Sequence, residues 1–301
     1  MKVTPPNTNT PVVSSTDGDN KTEVVTQAAQ QTTDRKTNSH STQMQLLSLA
    51  RTFALDGGML EQKKQMPLED RASKRARINR LRKQQNLEAI VHKAIPYCST
   101  EEAAERADPD WFSQFTKLAE DVSSSAMQDL WAKILAGELS QPGAFSIKTL
   151  QAFKTMSIHE AKLLAKACRL SVRDGRGKNI RIISGCYQVP GLFNFFDKQR
   201  EQTINLSQRG LSYSDILTLA DNHLMYEQET ESSPMAKGEA VNFNYNGQNL
   251  ALVTTKSDCI LRFYKFTPTG VELARLISDN PDTDYISLLK SQLQHHFSIT
   301  A

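Results

Sequence analysis

The densest chemistry in the sequence is cationic. Seven of the thirteen residues from Arg71 to Lys83 are basic: Arg71, Lys74, Arg75, Arg77, Arg80, Arg82 and Lys83. Such a run can neutralise phosphates, with an affinity that falls steeply as salt rises. These seven residues are the candidate nucleic-acid or anion-binding site. The other side chains that do chemistry are scattered. Cys98, Cys168, Cys186 and Cys259 form no CxxC or CxH pair, and the six histidines do not join them at ligand spacing. His295 and His296 are adjacent, so on a helix they point to different faces. In Asp174–Lys178 (DGRGK) a phosphate loop would need glycine at Val172 and Ser or Thr at Asn179, and the match fails. No GxSxG, HExxH, dinucleotide-binding or deaminase pattern occurs. No cofactor and no metal are expected.

A helix must carry the basic run. After Pro67 the segment is rich in Ala, Leu, Arg, Lys, Gln and Glu, and Glu69 and Asp70 fall in the first turn, where they complement the helix dipole. In its second half Leu87, Ile90, Val91, Ala94 and Ile95 form an apolar stripe that must pack on something. In its first half the bases lie nearly all round the axis at about 100° per residue. Phosphate contact is one reading of that half. The other is a solvated helix end whose charge is met by Glu101, Glu102, Glu105, Asp108 and Asp110. The balance is local: Glu61–Ile95 holds ten bases against four acids, and Glu101–Asp121 holds two against seven, so one stretch could neutralise the other.

The rest of the chain supplies the scaffold. Its 301 residues suit two ordinary domains. Residues 1–42 are rich in Thr, Ser, Asn, Gln and Pro and carry too few apolar side chains to offset the entropy of ordering, so a disordered tail is expected there. Leu46, Leu49, Ala50 and Phe53 then hold the spacing of one helical face before Gly57 and Gly58. That short helix is expected to dock on the core or on a second subunit; with Arg51 alone it is a poor membrane-surface helix. From Asp108 to Leu170 four capped helices follow. Asp108-Pro109 starts the first, Ser123–Ser125 the second, Ser146 the third, and Ser157 with Glu160 the fourth. Trp111, Phe112, Phe115 and Trp131 keep helical spacing and are expected in the core of this bundle. Gly137 inside LWAKILAGE predicts a close helix approach or a helix end near Glu138.

The combination DPDWFSQF, MQDLWAKILAGELSQPGAFSIKTLQAF and HEAKLL resembles a bacterial domain-of-unknown-function family of the 2806 type, found among gammaproteobacterial conserved hypothetical proteins. The resemblance covers roughly Asn86 to Ile277. It implies no activity, ligand or catalytic residue. More distantly, the helix spacing and the Ser-Ile-His-Glu-Ala start resemble the abortive-infection alpha family, which would imply a phage response.

Beyond Leu170 the period changes. Ile180–Ser184 alternates as a strand, Leu211–Asn222 reads as a helix, and Val241–Thr255 alternates around Asn246-Gly247, a strong hairpin signal. Ile260–Phe266 is a further strand, FTPTGVELARLI a helix, and Asp282–Phe297 a last helix. Helix, hairpin and FTPTG resemble the end of a winged-helix domain, although the helix at Ser214–Asn222 carries no basic residue to read DNA. The expected fold is therefore α+β and mostly helical: residues 1–42 a tail, 43–170 a basic helix with a four-helix bundle, and 171–301 a small winged-helix-like α+β domain with a C-terminal helix. No stretch approaches the roughly 18 apolar residues of a membrane span, and nothing reads as a signal peptide, so a cytoplasmic protein is expected. The function expected is non-catalytic binding or regulation, with a protein partner or self-association. Nucleic-acid binding through residues 71–83 and an enzyme whose site assembles only on folding are the alternatives.

Overall fold

The computed structural model describes residues 41–98, 106, 108–175, 177, 179–191 and 199–300. The tail expected at 1–42 falls almost wholly outside them. The chain divides into two compact units, Met1–Arg51 and Thr52–Ala301. In the first, helix α1 (Thr42–Thr52) forms where the apolar spacing predicts it. Its Ala50 is buried, but Leu46 and Leu49 remain 61% and 58% exposed.

The second unit begins with short 3-10 turns and then α2 (Leu68–Ala94), which has Pro67 at its N-cap, Glu69 and Asp70 in its first turn and His92 and Lys93 in its last. The packing face of α2 differs from the predicted stripe. Asn86, Ile90 and Ala94 are buried and Leu87 is half-buried, whereas Val91 and Ile95 point outward, the latter 64% exposed. The reason is polar. Asn86 Nδ2 donates to Glu120 O at 2.8 Å, and Lys93 Nζ pairs with Asp129 at 2.6 Å. Seven residues apart, the two side chains lie on the same side of the helix and tie that side to Glu120 and Asp129.

Helices α3 (Pro109–Ala119), α4 (Ser125–Ser140), α5 (Ile147–Thr155) and α6 (Ile158–Arg169) follow at the predicted starts. The caps are formed in three of the four: Asp108 accepts from Asp110 N, Ser146 from Thr149 N, and Ser157 with Glu160 makes both bonds of a capping box. The aromatic residues stack through the helical layer. Trp111 lies 5.2 Å from Phe115, Phe115 meets Trp131 edge-on at 5.4 Å, and Trp131 reaches Phe153 at 5.4 Å. Phe112 is the exception and stays partly exposed. Gly137 is neither a helix crossing nor a helix end. It gives room to the ring of Phe145, which a Cβ there would approach to 2.9 Å.

The second half forms an eight-stranded antiparallel sheet: β1 (Val172–Arg173), β2 (Ile180–Gln188), β3 (Glu201–Thr203), β4 (Thr230–Glu231), β5 (Ala240–Tyr245), β6 (Gln248–Thr254), β7 (Cys259–Lys265) and β8 (Phe297–Thr300). Its order is β4-β7-β2-β1-β5-β6-β8, with β3 also on β2. Three helices accompany it: α7 (Tyr213–Asp221), α8 (Pro268–Ala274) and α9 (Thr283–Leu293). Asn246 and Gly247 take φ of 46° and 85° and turn β5 into β6, as the hairpin signal predicts. The winged-helix detail is not confirmed, because this hairpin is two strands of a larger sheet that also pairs β1 and β8 against it. The DGRGK turn joins β1 to β2; of it Asp174, Gly175 and Gly177 are among the described residues.

One cluster of buried apolar side chains runs from Ile90 through Trp131, Leu170 and Val172 to Phe297. It passes through the boundary expected at residues 170 and 171. Tyr285 fixes α9 on the sheet by donating its buried hydroxyl to Ile183 O at 3.1 Å. Gly270 in the FTPTG segment lets α8 close on the chain at Leu224, whose carbonyl oxygen would lie 1.9 Å from an added Cβ. About half of the described chain is helical, and no helix among these residues is long and apolar enough to cross a membrane.

Candidate nucleic-acid interface

The first half of α2 is held from one side by the chain that precedes it. Gly57 and Gly58 lie so close to Arg71 that a Cβ on them would meet its Cδ at 2.8 Å and its Nη1 at 3.1 Å respectively. The guanidinium of Arg82 lies 4.5 Å above the ring of Phe53, a cation–π arrangement. The Nε atoms of both arginines are buried without a hydrogen bond. On another side Lys83 Nζ donates to Glu120 and pairs with Asp121 at 3.7 Å. The Glu120 hydrogen bond pushes the Lys83 pKa up, so this ammonium is committed to its carboxylates.

The seven predicted bases therefore fall into two sets. Arg71, Arg82 and Lys83 are engaged by their own chain. Lys74, Arg75, Arg77 and Arg80 are exposed, and among the described residues none of these four has an ion pair. Of the acids expected to cover them, Asp108 and Asp110 are among the described residues and neither forms an ion pair there with α2. Glu101, Glu102 and Glu105 lie outside the described residues. The Asp108 carboxylate is used as the α3 cap, and Glu120 and Asp121 serve Lys83, with Lys154 3.9 Å from Asp121. Sequence reasoning found the seven residues but could not sort them, because the sorting comes from Phe53, Gly57 and Gly58.

Elsewhere, two adjoining cavities of about 600 and 470 Å³ share Tyr226 and Pro268 between α8 and the β4 edge of the sheet. Their charged walls are partly structural. Glu272 accepts from Ser146 N at 2.7 Å and Ser146 Oγ at 3.1 Å, and Arg275 donates to Ala144 O at 2.9 Å, so both brace α8 against the start of α5. The buried thiols are poor nucleophiles. Burial pushes Cys168 and Cys186 up to about 12 and raises Cys259 as well. Among the described residues no group of three or more His, Cys, Asp or Glu side chains could hold a metal ion.

Fold and site together define a mixed α+β protein, a helical layer on an antiparallel sheet, that presents a long basic helix. The sequence model of the family described as "Protein of unknown function (DUF2806)" matches residues 70–290, and the chain belongs to that family. The matched stretch includes all seven bases from Arg71 to Lys83 and seven of the eight strands. No curated protein and no solved structure matches the chain. The abortive-infection likeness thus stays a resemblance of helix spacing.

Proposed function

We propose that this is a non-catalytic binding protein that takes nucleic acid on the open side of α2. The observation that carries the reading is the exposure of Lys74, Arg75, Arg77 and Arg80 without ion pairs among the described residues, while their helix is held by Phe53, Gly57, Gly58 and Glu120. Lys74, Arg77 and Arg80 share one side of this held helix and form a phosphate-binding surface with little ordering cost, and Arg75 adds charge on another side. Binding titrations of labelled nucleic acid at several salt concentrations test it. Affinity should fall as salt rises, and the K74A/R75A/R77A/R80A protein should bind at least tenfold more weakly at low salt. Undetectable binding by the unaltered protein at low salt would overturn the reading. The cytoplasm is the compartment we assign, supported by four free thiols, three of them buried.

A second reading, docking of a protein or of a second copy of the chain, is favoured by α1, where Met44, Leu46 and Leu49 are left exposed. Sedimentation of the L46E/L49E protein beside the unaltered one tests it. An unchanged mass distribution, monomeric in both, removes self-association.

A further inference from the structure

The first half of α2 carries more than unpaired charge; its open side has an order. At about 100° per residue, Lys74, Arg77 and Arg80 fall within an arc of about 120°, with Arg77 in the middle. Gln84, Leu81 and the acids Asp70 and Glu88 fall inside the same arc, all of them exposed, and Gln84 Nε2 donates to Glu88 Oε1 at 2.7 Å. The side held by Phe53, Gly57 and Gly58 is the one that bears Arg71 and Arg82, on the far side of the axis. The open side therefore has Arg77 and Gln84 along its middle, Lys74 with Leu81 toward one edge and Arg80 on the other.

We infer that this face takes double-stranded DNA, with α2 lying in the major groove. The inference rests on the nucleic-acid reading above and names its substrate. Three observations select the duplex. The surface is one side of a 27-residue helix, about 10–12 Å across with its side chains, and the B-form major groove, roughly 12 Å wide, admits such a rod. The major groove of A-form RNA is too deep and narrow for it. Single-strand sites depend on aromatic platforms for base stacking. The open face of α2 has none: the exposed aromatic residues of the described chain, Tyr97, Phe112, Tyr213 and Tyr226, all lie off this helix. The three bases lie together along the helix between Asp70 and Glu88, which mark the two ends of the duplex-facing stretch. Lys74 and Arg80 at the two edges meet the phosphate walls, whereas Arg77 between them reaches the base edges, where Arg is suited to guanine; Gln84 reads a base by exchanging its bond to Glu88.

Fluorescence anisotropy with a mixed-sequence 20-base-pair duplex DNA, the same sequence as duplex RNA, and one DNA strand alone, each across a salt series, tests the assignment. The DNA duplex should bind at least tenfold more tightly than either alternative. K74A/R77A/R80A should weaken duplex binding at least tenfold and reduce the salt slope by about two to three. K117A/K162A/K237A, which removes the same charge from exposed lysines elsewhere, should change duplex affinity less than threefold. If duplex RNA or the single strand binds as well as duplex DNA through the same three residues, the duplex assignment falls and the nucleic-acid reading stands. If the two triple variants behave alike, α2 is not the surface. If none of the three probes binds at low salt, both readings fall together.

Discussion

The guanidinium of Arg82 lies 4.5 Å from the centre of the Phe53 ring, and this contact fixes which side of α2 is open. Phe53 stands just before the turn that brings Gly57 and Gly58 against Arg71. Removing the ring, F53A, should free both the turn and the arginine. The expected cost is about 1 kcal/mol from the cation–π contact alone, with the lost packing added to it. Hydrogen exchange of the α2 amides between Arg71 and Arg82 is the measurement. They should exchange faster in F53A, while those around Ile90 keep their protection.

Gly137 offers a test of the packing around Phe145. Alanine in mid-helix ordinarily gains about 0.5–1 kcal/mol over glycine. Here the new Cβ would lie 2.9 Å from the Phe145 ring, whose backbone carbonyl also accepts the Trp111 indole N–H at 2.7 Å. Overpacking of this kind costs about 1–3 kcal/mol, so G137A should be destabilised on balance. Denaturant unfolding should show it, and G137A/F145L should recover part of the loss.

Asp282 links stability to acidity. Burial pushes its carboxyl pKa up, but hydrogen bonds from Arg209 Nη2 at 2.6 Å and Tyr285 N at 3.0 Å, with the charges of Arg209 and Arg169, outweigh that effect and hold it below the usual carboxylate range. A lowered native value means that the stabilisation is complete above the ordinary aspartate pKa of about 3.9 and is lost as pH falls through the native one. D282N keeps the α9 cap but loses the charge. It should therefore be less stable than the unaltered protein near neutral pH, and the gap should close below about pH 4. Thermal unfolding across that range measures the difference.

The thiols should separate by accessibility. Cys98 is partly exposed, whereas Cys168, Cys186 and Cys259 are buried with raised pKa values. Titration with a thiol reagent at neutral pH should modify one cysteine in the folded protein and all four in denaturant. Rapid modification of two or more in the folded state would contradict the packing of α6, β2 or β7.

Local rules made the helices legible. Asp108-Pro109, Ser146 and the Ser157–Glu160 pair start helices in the structure because a cap needs only four residues to form, and Asn246-Gly247 turns a hairpin for the same reason. The short strands were not legible. β1, β3 and β4 have two or three residues each, and β8 begins at Phe297, where the expected last helix ends. Strands of two to four residues are defined by the partner beside them, and little periodicity fits into so few residues.

By itself, then, the sequence determined that a basic helix starts after Pro67, that capped helices with an aromatic core follow, and that hairpin and helix signals alternate beyond Leu170. These are consequences of propensity, spacing and caps, which act over a few residues. Only the tertiary structure decided that the hairpin belongs to one large sheet, that Val91 and Ile95 face outward, and that Arg71, Arg82 and Lys83 are engaged while Lys74, Arg77 and Arg80 are open. The physical reason is the same in each case. Which side of a helix or strand meets the core depends on contacts between residues far apart in the chain, such as Asn86 with Glu120, and on close approaches such as that of Gly57 to Arg71.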